Sequence, residues 1–95
     1  MPKLTVRAFA TLGELFPSKT MEVSTSARTV QELIDFIANE YNPKFKEQII
    51  DPKTGKVHGF YKIFVNGRDI DFLDGLETKL KDGDNVAFFP PVGGG

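Results

Sequence analysis

Residues 29–41 carry the feature that most constrains the fold, an amphipathic helical pattern that lies between short strand-like segments. Glu32 follows Thr29 at the spacing of a capping box, in which the threonine hydroxyl accepts from the third helical N–H and the glutamate reaches back. Asn42-Pro43 ends the helix, because proline disfavours helical backbone in the residue before it. The apolar residues recur at helical intervals and form one stripe: Val30, Leu33, Ile34, Ile37, Ala38 and Tyr41.

The segments around this helix alternate as strands do. Leu4 to Ala10 is one strand, with Leu4, Val6, Ala8 and Ala10 on one side, and Thr20–Ser24 is a second. Tyr61–Val65 and Arg68–Phe72 are joined by Asn66-Gly67, and both turn residues tolerate the positive φ of a type I′ hairpin. Val86–Phe89 is the last strand, and residues 43–50 are expected to form a second, short helix that can bury Phe45, Ile49 and Ile50.

This order of elements predicts an α+β domain in two layers, since an amphipathic helix must bury its apolar stripe against another layer. We expect a mixed sheet of about five strands with one main helix packed on one face. The first hairpin, the crossover helix and the final strand together indicate a β-grasp arrangement.

The chain ends Pro90-Pro91-Val92-Gly93-Gly94-Gly95, directly after the last strand. A glycine run has no side-chain chemistry, so any function of this segment must depend on its backbone and its terminal carboxylate. Glycine has no Cβ, which makes the segment thin enough to thread into another protein's active site, and the two prolines favour extended backbone. We therefore divide the chain into a domain, 1–89, and a flexible C-terminal glycine tail, 90–95. The alternative is a passive, frayed terminus.

Composition argues against several classes of function. The net charge is −1, with 12 basic and 13 acidic residues dispersed along the chain, so we expect no nucleic-acid partner and no anionic membrane. The sequence has no cysteine, which excludes a disulfide scaffold, a cysteine nucleophile and thiolate metal sites. The apolar runs are too short to span a bilayer, and the first residues lack a signal-peptide pattern, so the cytoplasm is the expected compartment.

Catalytic and metal-binding patterns are weak. His58 is the sole histidine and lies in a turn-rich segment, where we expect it to be solvated. Asp69, Asp71 and Asp74 fit no calcium-loop spacing, and turn capping explains them better. We expect that the chain is not an enzyme on its own and binds no metal or cofactor.

Three phenylalanines are expected on the sheet face away from the helix. If Ile63, Val65, Val86 and Phe88 point towards the helix, the alternation of a strand turns Phe64 and Phe89 the other way, together with Phe9. Monomers rarely expose a large apolar patch without an interaction that uses it, and aromatic side chains are enriched at interfaces. The alternative is that segment 43–60 folds over this face and buries them.

Three stretches together resemble the small subunit of molybdopterin synthase. They are Phe9-Ala10-Thr11-Leu12-Gly13-Glu14-Leu15, Val65-Asn66-Gly67 and the run Lys81-Asp82-Gly83-Asp84-Asn85-Val86-Ala87-Phe88-Phe89 with the tail that follows it. Those small subunits are ubiquitin-like β-grasp sulfur carriers, related to the thiamine-pathway carrier and to archaeal ubiquitin-like modifiers. The resemblance spans essentially the whole chain and is most specific over residues 81–95.

The resemblance implies that a ubiquitin-activating-type adenylyltransferase adenylates the carboxylate of Gly95, using ATP and Mg that this chain does not bind itself. A sulfur donor then converts the carboxylate to a thiocarboxylate. The sulfur passes to a pterin precursor in the large subunit of molybdopterin synthase, where it forms the dithiolene that binds molybdenum or tungsten.

The family's functional positions fall on named residues of this chain. Gly94 and Gly95 match the terminal pair, and Gly93 stands where the family often has a larger residue. Phe9 and Phe89 match partner-docking positions, to which the predicted apolar face adds Phe64 and the start of the tail adds Pro90 and Pro91. Gly13 departs from the family, since relatives frequently carry arginine there, and the longer segment 42–61 is similar to archaeal versions.

Three hypotheses follow. The chain is a sulfur carrier for molybdopterin or tungstopterin synthesis, or a modifier whose tail forms isopeptide bonds with lysines, or an interaction domain whose tail is passive.

Overall fold

The computed structural model describes residues 2–16 and 18–91 and contains one mixed sheet with two helices. The strands are β1 (Lys3–Ala8), β2 (Thr20–Ser24), β3 (Lys62–Val65), β4 (Arg68–Asp69) and β5 (Asn85–Phe89). The helices are α1 (Val30–Glu40) and α2 (Pro43–Ile49), and short 3-10 helices span Ala10–Leu15, Ile70–Phe72 and Gly75–Glu77.

The strand order is β2-β1-β5-β3-β4, which places β5 at the centre of the sheet. β1 is antiparallel to β2 and parallel to β5, with Val6 opposite Val86. β3 is antiparallel to β5, with Ile63 opposite Phe88. A parallel pair needs a long crossover, and here the chain between β1 and β5 includes α1. The predicted α+β fold, a mixed five-stranded sheet with its main helix on one face, is confirmed.

The core lies between α1 and the sheet. α1 buries Val30, Leu33, Ile34 and Ile37 against the inward side chains of the strands. α2 adds Phe45, whose ring centroid lies 4.9 Å from that of Phe88. The predicted second short helix is therefore confirmed, and it packs on the same side of the sheet as α1.

The start of α1 differs from the predicted capping box by one residue. The Thr29 hydroxyl accepts from the Glu32 N–H at 3.1 Å, as expected. The Glu32 carboxylate, however, accepts from the N–H of Arg28 at 2.8 Å, because its side chain reaches one residue further back than the motif requires.

Two strand predictions are too long. Arg68–Phe72 is a strand only at Arg68–Asp69 and then becomes a 3-10 helix. The Asp69 carboxylate accepts from the Asp71 N–H at 2.9 Å, and such a local bond turns the backbone away from the ladder. β1 likewise ends at Ala8, because Ala10 takes a φ of 51° and begins a 3-10 helix.

The predicted stripe of α1 is also one residue too long. Tyr41 lies at the helix C-cap and is 40% exposed. Its ring meets Phe16 at a centroid distance of 6.0 Å rather than entering the core. Within residues 2–16 and 18–91, neither helix has the length and apolar character needed to cross a bilayer.

Candidate functional site

Three phenylalanines form one continuous cluster on the sheet face away from α1. We call Phe9, Phe64 and Phe89 the aromatic surface. Phe9 and Phe89 are stacked, with ring centroids 4.4 Å apart and an interplanar angle of 6°. Phe64 meets Phe89 edge-on, at 5.4 Å and 81°. Phe89 is therefore the centre of the cluster.

Strand pairing brings these three side chains together. Along β5, Phe88 is buried and Phe89 points to the opposite face, as pleating requires. Phe64 of β3 lies opposite Ala87, one position before Phe88 in the same strand. Phe9 follows Ala8, which pairs with Phe88, and its N–H donates to the Phe88 carbonyl at 3.2 Å. Residues distant in sequence thus meet at the end of β5.

The cluster is partly exposed. Phe9 is 38% exposed, and Phe64 and Phe89 are half-buried, in part by one another. Segment 43–60 does not bury them as the alternative required, since most of its apolar residues enter the core instead and Phe60 is itself exposed. Phe45, Ile49 and Ile50 are buried there, and Val57 packs against the same core.

Lys62 and two carboxylates form a charged rim beside the aromatic surface. Lys62 lies opposite Phe89 in the β3–β5 register, and Phe64 lies opposite Asp69. The Lys62 Nζ lies 3.2 Å from Asp71 Oδ2 and 3.5 Å from Asp69 Oδ2. The hydrogen bond with Asp71, followed by the charge of Asp69, raises the pKa of Lys62 above its usual 10.5.

Sequence reasoning did not assign this rim to the site. The Asn66-Gly67 turn could have revealed it, because both residues take positive φ, 52° and 82°. A two-residue turn fixes the register of the hairpin, and that register places Asp69 beside Phe64.

β5 ends within the site. Phe89 is its last residue, Pro90 is buried and Pro91 is exposed. The side chain of Pro90 therefore presents little surface in this chain, and its part in docking stays a prediction. Val92 and the predicted reactive tail of Gly93, Gly94 and Gly95 lie outside the described residues.

The remaining candidates have structural roles. His58 is half-buried rather than solvated; its backbone N–H donates to the Ile49 carbonyl at 2.7 Å and its ring lies 6.4 Å from Tyr61. Asp69 caps the turn that follows it, as predicted. Over residues 2–16 and 18–91, no three His, Cys, Asp or Glu side chains are grouped so that they could hold a metal ion.

Comparison with known proteins places the chain among small carrier and modifier proteins. A model of the ThiS family matches residues 6–95. The sulfur carrier protein CysO of Mycobacterium tuberculosis is 39% identical over 74 residues, which cover 77% of this chain and 78% of that protein. Small archaeal modifier protein 3 of Haloferax volcanii is 37% identical over 95 residues, 98% of this chain and 99% of that protein.

Solved structures share the fold. The putative molybdopterin converting factor, subunit 1, of Pyrococcus furiosus superposes with a TM-score of 0.72 and 33% identity, covering 97% of this chain and 100% of that one. A chain of the BexX/CysO complex of Amycolatopsis orientalis superposes with a TM-score of 0.78 and 31% identity, covering 97% and 99%.

Proposed function

Because the chain belongs to the ThiS family of ubiquitin-like sulfur carriers, we propose that Gly95 carries sulfur as a terminal thiocarboxylate. A ubiquitin-activating-type adenylyltransferase activates the Gly95 carboxylate with ATP and Mg, and a sulfur donor completes the conversion. The thiocarboxylate then donates its sulfur within molybdopterin synthase, whose small subunit this chain forms, for the dithiolene of molybdopterin or tungstopterin.

The observation that carries this proposal is the aromatic surface at the end of β5. Phe89, the centre of that surface, is the last strand residue before the tail. A partner that packs on it therefore receives the tail at a fixed starting point. Residues 90–95 could reach about 20 Å when fully extended, which is far enough to enter a buried active site.

Docking on the aromatic surface can offset the cost of ordering the tail. Fixing a backbone costs about 1–2 kcal/mol per residue, so six tail residues require a compensating interaction. Aromatic anchors in the centre of an interface commonly supply it.

Partner proteins catalyse the adenylation and the sulfur transfer, and this chain supplies the carboxylate that reacts. A carboxylate is a poor electrophile, so one of its oxygens must first attack the α-phosphorus of ATP, which releases pyrophosphate. Sulfur then attacks the acyl carbon and AMP leaves. The glycines contribute an unhindered acyl carbon, since they have no Cβ.

Two relatives support partners of these kinds. The Pyrococcus furiosus chain is named a molybdopterin converting factor subunit, which favours the molybdopterin pathway. The Amycolatopsis orientalis structure holds CysO in a complex with BexX, which supports the idea that a chain of this fold works while docked on a second protein.

Protein modification is the second candidate function. It is favoured by the Haloferax volcanii relative, which is named a modifier and matches 98% of this chain. In that case a lysine amine attacks the acyl carbon of the Gly95 adenylate. The isopeptide C–N bond forms, the bond to AMP breaks, and the amine loses a proton.

Intact-mass spectrometry tests the carrier function. The full chain is incubated with an activating enzyme, ATP, Mg and a sulfide donor, and we expect one oxygen of Gly95 to be replaced by sulfur. Adding the large synthase subunit and the pterin precursor should then yield the dithiolene product. No exchange under conditions that load a known carrier would contradict the proposal. Tail remnants on lysines in a cellular digest would support the modifier function.

Removal of Gly94 and Gly95 is the matched control. We expect the truncated chain to lose all exchange but to keep its thermal midpoint, because β5 ends at Phe89 and a glycine has no side chain to contribute to a core. Exchange that survived the truncation would show that the tail is passive.

A further inference from the structure

A second exposed apolar site lies away from the aromatic surface. Phe72 is 87% exposed and Leu73 beside it is 37% exposed. Both line a groove of about 720 Å³, which we call the basic groove. Val65, Arg68, Lys79 and Lys81 also line it, together with other polar residues. Phe72 and Leu73 are adjacent and both exposed, so they form a small apolar patch that a partner can cover, unlike an apolar side chain that is exposed singly.

The charges of the basic groove are unbalanced towards positive. Arg68, Lys79 and Lys81 line it, against Asp74 and Asp84. Asp84 is buried and its two oxygens are already occupied: Oδ1 accepts from Asn66 Nδ2 and Oδ2 from the Lys81 N–H, each at 2.9 Å. The lining thus carries three cations and two carboxylates, one net positive charge, and Asp74 is its one exposed carboxylate.

These cations are available to a partner. Over residues 2–16 and 18–91, the salt bridges are made by Lys46 and Lys62, and none involves Arg68, Lys79 or Lys81. The positive strip also continues past the groove. An adjoining groove of about 490 Å³ shares Lys79 and Lys81 and adds Arg28. The carboxylate there, Asp82, accepts from the Lys3 N–H at 2.7 Å.

The basic groove lies at the opposite end of β5 from Phe89, the residue after which the tail begins. Asn85, the first residue of β5, donates its N–H to the side chain of Asn66, a groove residue, at 2.9 Å. Four residue steps then separate Asn85 from Phe89, about 13 Å along a strand. A partner in the groove thus need not obstruct the tail.

We propose that the basic groove docks an acidic segment of a partner protein. An aliphatic or aromatic side chain of that segment packs on Phe72 and Leu73, while its carboxylates face Arg68, Lys79 and Lys81. Central apolar anchors provide most of the affinity of such sites, and complementary charge provides specificity and fast association. The site acts independently of sulfur loading at Gly95.

Nuclear magnetic resonance on the full ¹⁵N-labelled chain tests the proposal. The probe is a short synthetic peptide in which a Phe-Leu pair is flanked by glutamates, and the control peptide has lysines in place of the glutamates. We expect shifts confined to residues 65–68, 72–74 and 78–84 with the acidic peptide, an affinity that falls with added salt, and no shifts with the basic one.

Matched variants distinguish binding in the basic groove from non-specific binding to exposed apolar or charged residues. Phe72→Ala should lower the affinity for the acidic peptide about tenfold. The double change Lys79→Glu with Lys81→Glu should lower it by a similar factor. Phe60→Ala removes a phenylalanine that is 79% exposed outside the groove, and Lys53→Glu reverses an exposed charge elsewhere. Neither should change the affinity.

Three outcomes would overturn the proposal. They are the absence of groove shifts at millimolar acidic peptide, equal losses in Phe60→Ala, or a dimer that Phe72→Ala converts to a monomer, which would make a second copy the occupant. Sulfur exchange at Gly95 is measured on the same variants and should be unchanged, so that failure of one proposal leaves the other to be judged separately.

Discussion

At the scale of single residues, Gly13 shows where the backbone leaves no room for a side chain. A Cβ built there would lie 2.9 Å from the carbonyl oxygen of Ala8, and the residue is buried. A side chain at position 13 thus cannot be accommodated without moving the 3-10 helix that follows β1.

We expect Gly13→Ala to lower the free energy of unfolding by about 1–3 kcal/mol, as overpacking does, measured by urea denaturation. Gly59→Ala is the control, because a Cβ at Gly59 meets nothing within 4 Å. If both variants were equally stable, the close approach to Ala8 would have no energetic weight.

Lys62 gives the pH dependence that belongs to this scale. Its pKa is raised in the folded state, first by the hydrogen bond with Asp71 and then by the charge of Asp69. A raised folded pKa adds stability that is fully present below the unfolded pKa of 10.5 and is lost as the pH rises through the folded value.

Comparison of the wild type with Lys62→Gln tests this. The wild type should be slightly more stable below pH 10.5, and the difference should vanish at higher pH; it stays small because Lys62 is half exposed. Lys53→Gln, in an exposed turn, serves as the control for loss of a surface lysine. A constant difference across the whole pH range would contradict the assignment.

At the scale of elements, β5 carries two adjacent phenylalanines with different tasks. Phe88 is fully buried and packs against Phe45, whereas Phe89 faces outward. We expect Phe88→Ala to cost about 3–5 kcal/mol in urea denaturation. Phe89→Ala should cost less but should reduce sulfur exchange at Gly95 more strongly than Phe60→Ala does. A loss of stability for Phe89→Ala that exceeds the loss for Phe88→Ala would assign Phe89 to the core.

The spacing of apolar residues predicted the elements that bury one face against the core. The stripe of α1 and the alternation of β3 and β5 followed from burial on one face. A local side-chain bond and the packing at the end of a strand determined two features that periodicity missed. The Asp69 carboxylate ends β4 early, and the burial of Pro90 depends on how the end of β5 packs, which no spacing in the sequence encodes. The aromatic surface was predictable because it needs only alternation and register.

At the scale of the whole molecule, Phe89 and the basic groove lie at opposite ends of β5, whereas Phe64 of the aromatic surface directly precedes Val65, which lines the groove. Sites separated by more than about 7–10 Å with no shared partners usually act additively. We expect a saturating amount of the acidic peptide to leave the rate of Gly95 adenylation unchanged, measured by pyrophosphate release, whereas Phe89→Asp should slow it. Inhibition by the peptide would show that the two surfaces are coupled or overlap.

The central place of β5 has a mechanical consequence. β1 and β5 run parallel, and β3 flanks β5 on its other side, so a pull on the chain beyond Phe89 acts along the strand and loads two ladders of hydrogen bonds in shear. Such bonds must break together rather than one after another as in an unzipping edge strand. A force applied to the tail by another protein is therefore resisted by both ladders at once, and the domain can stay folded under it.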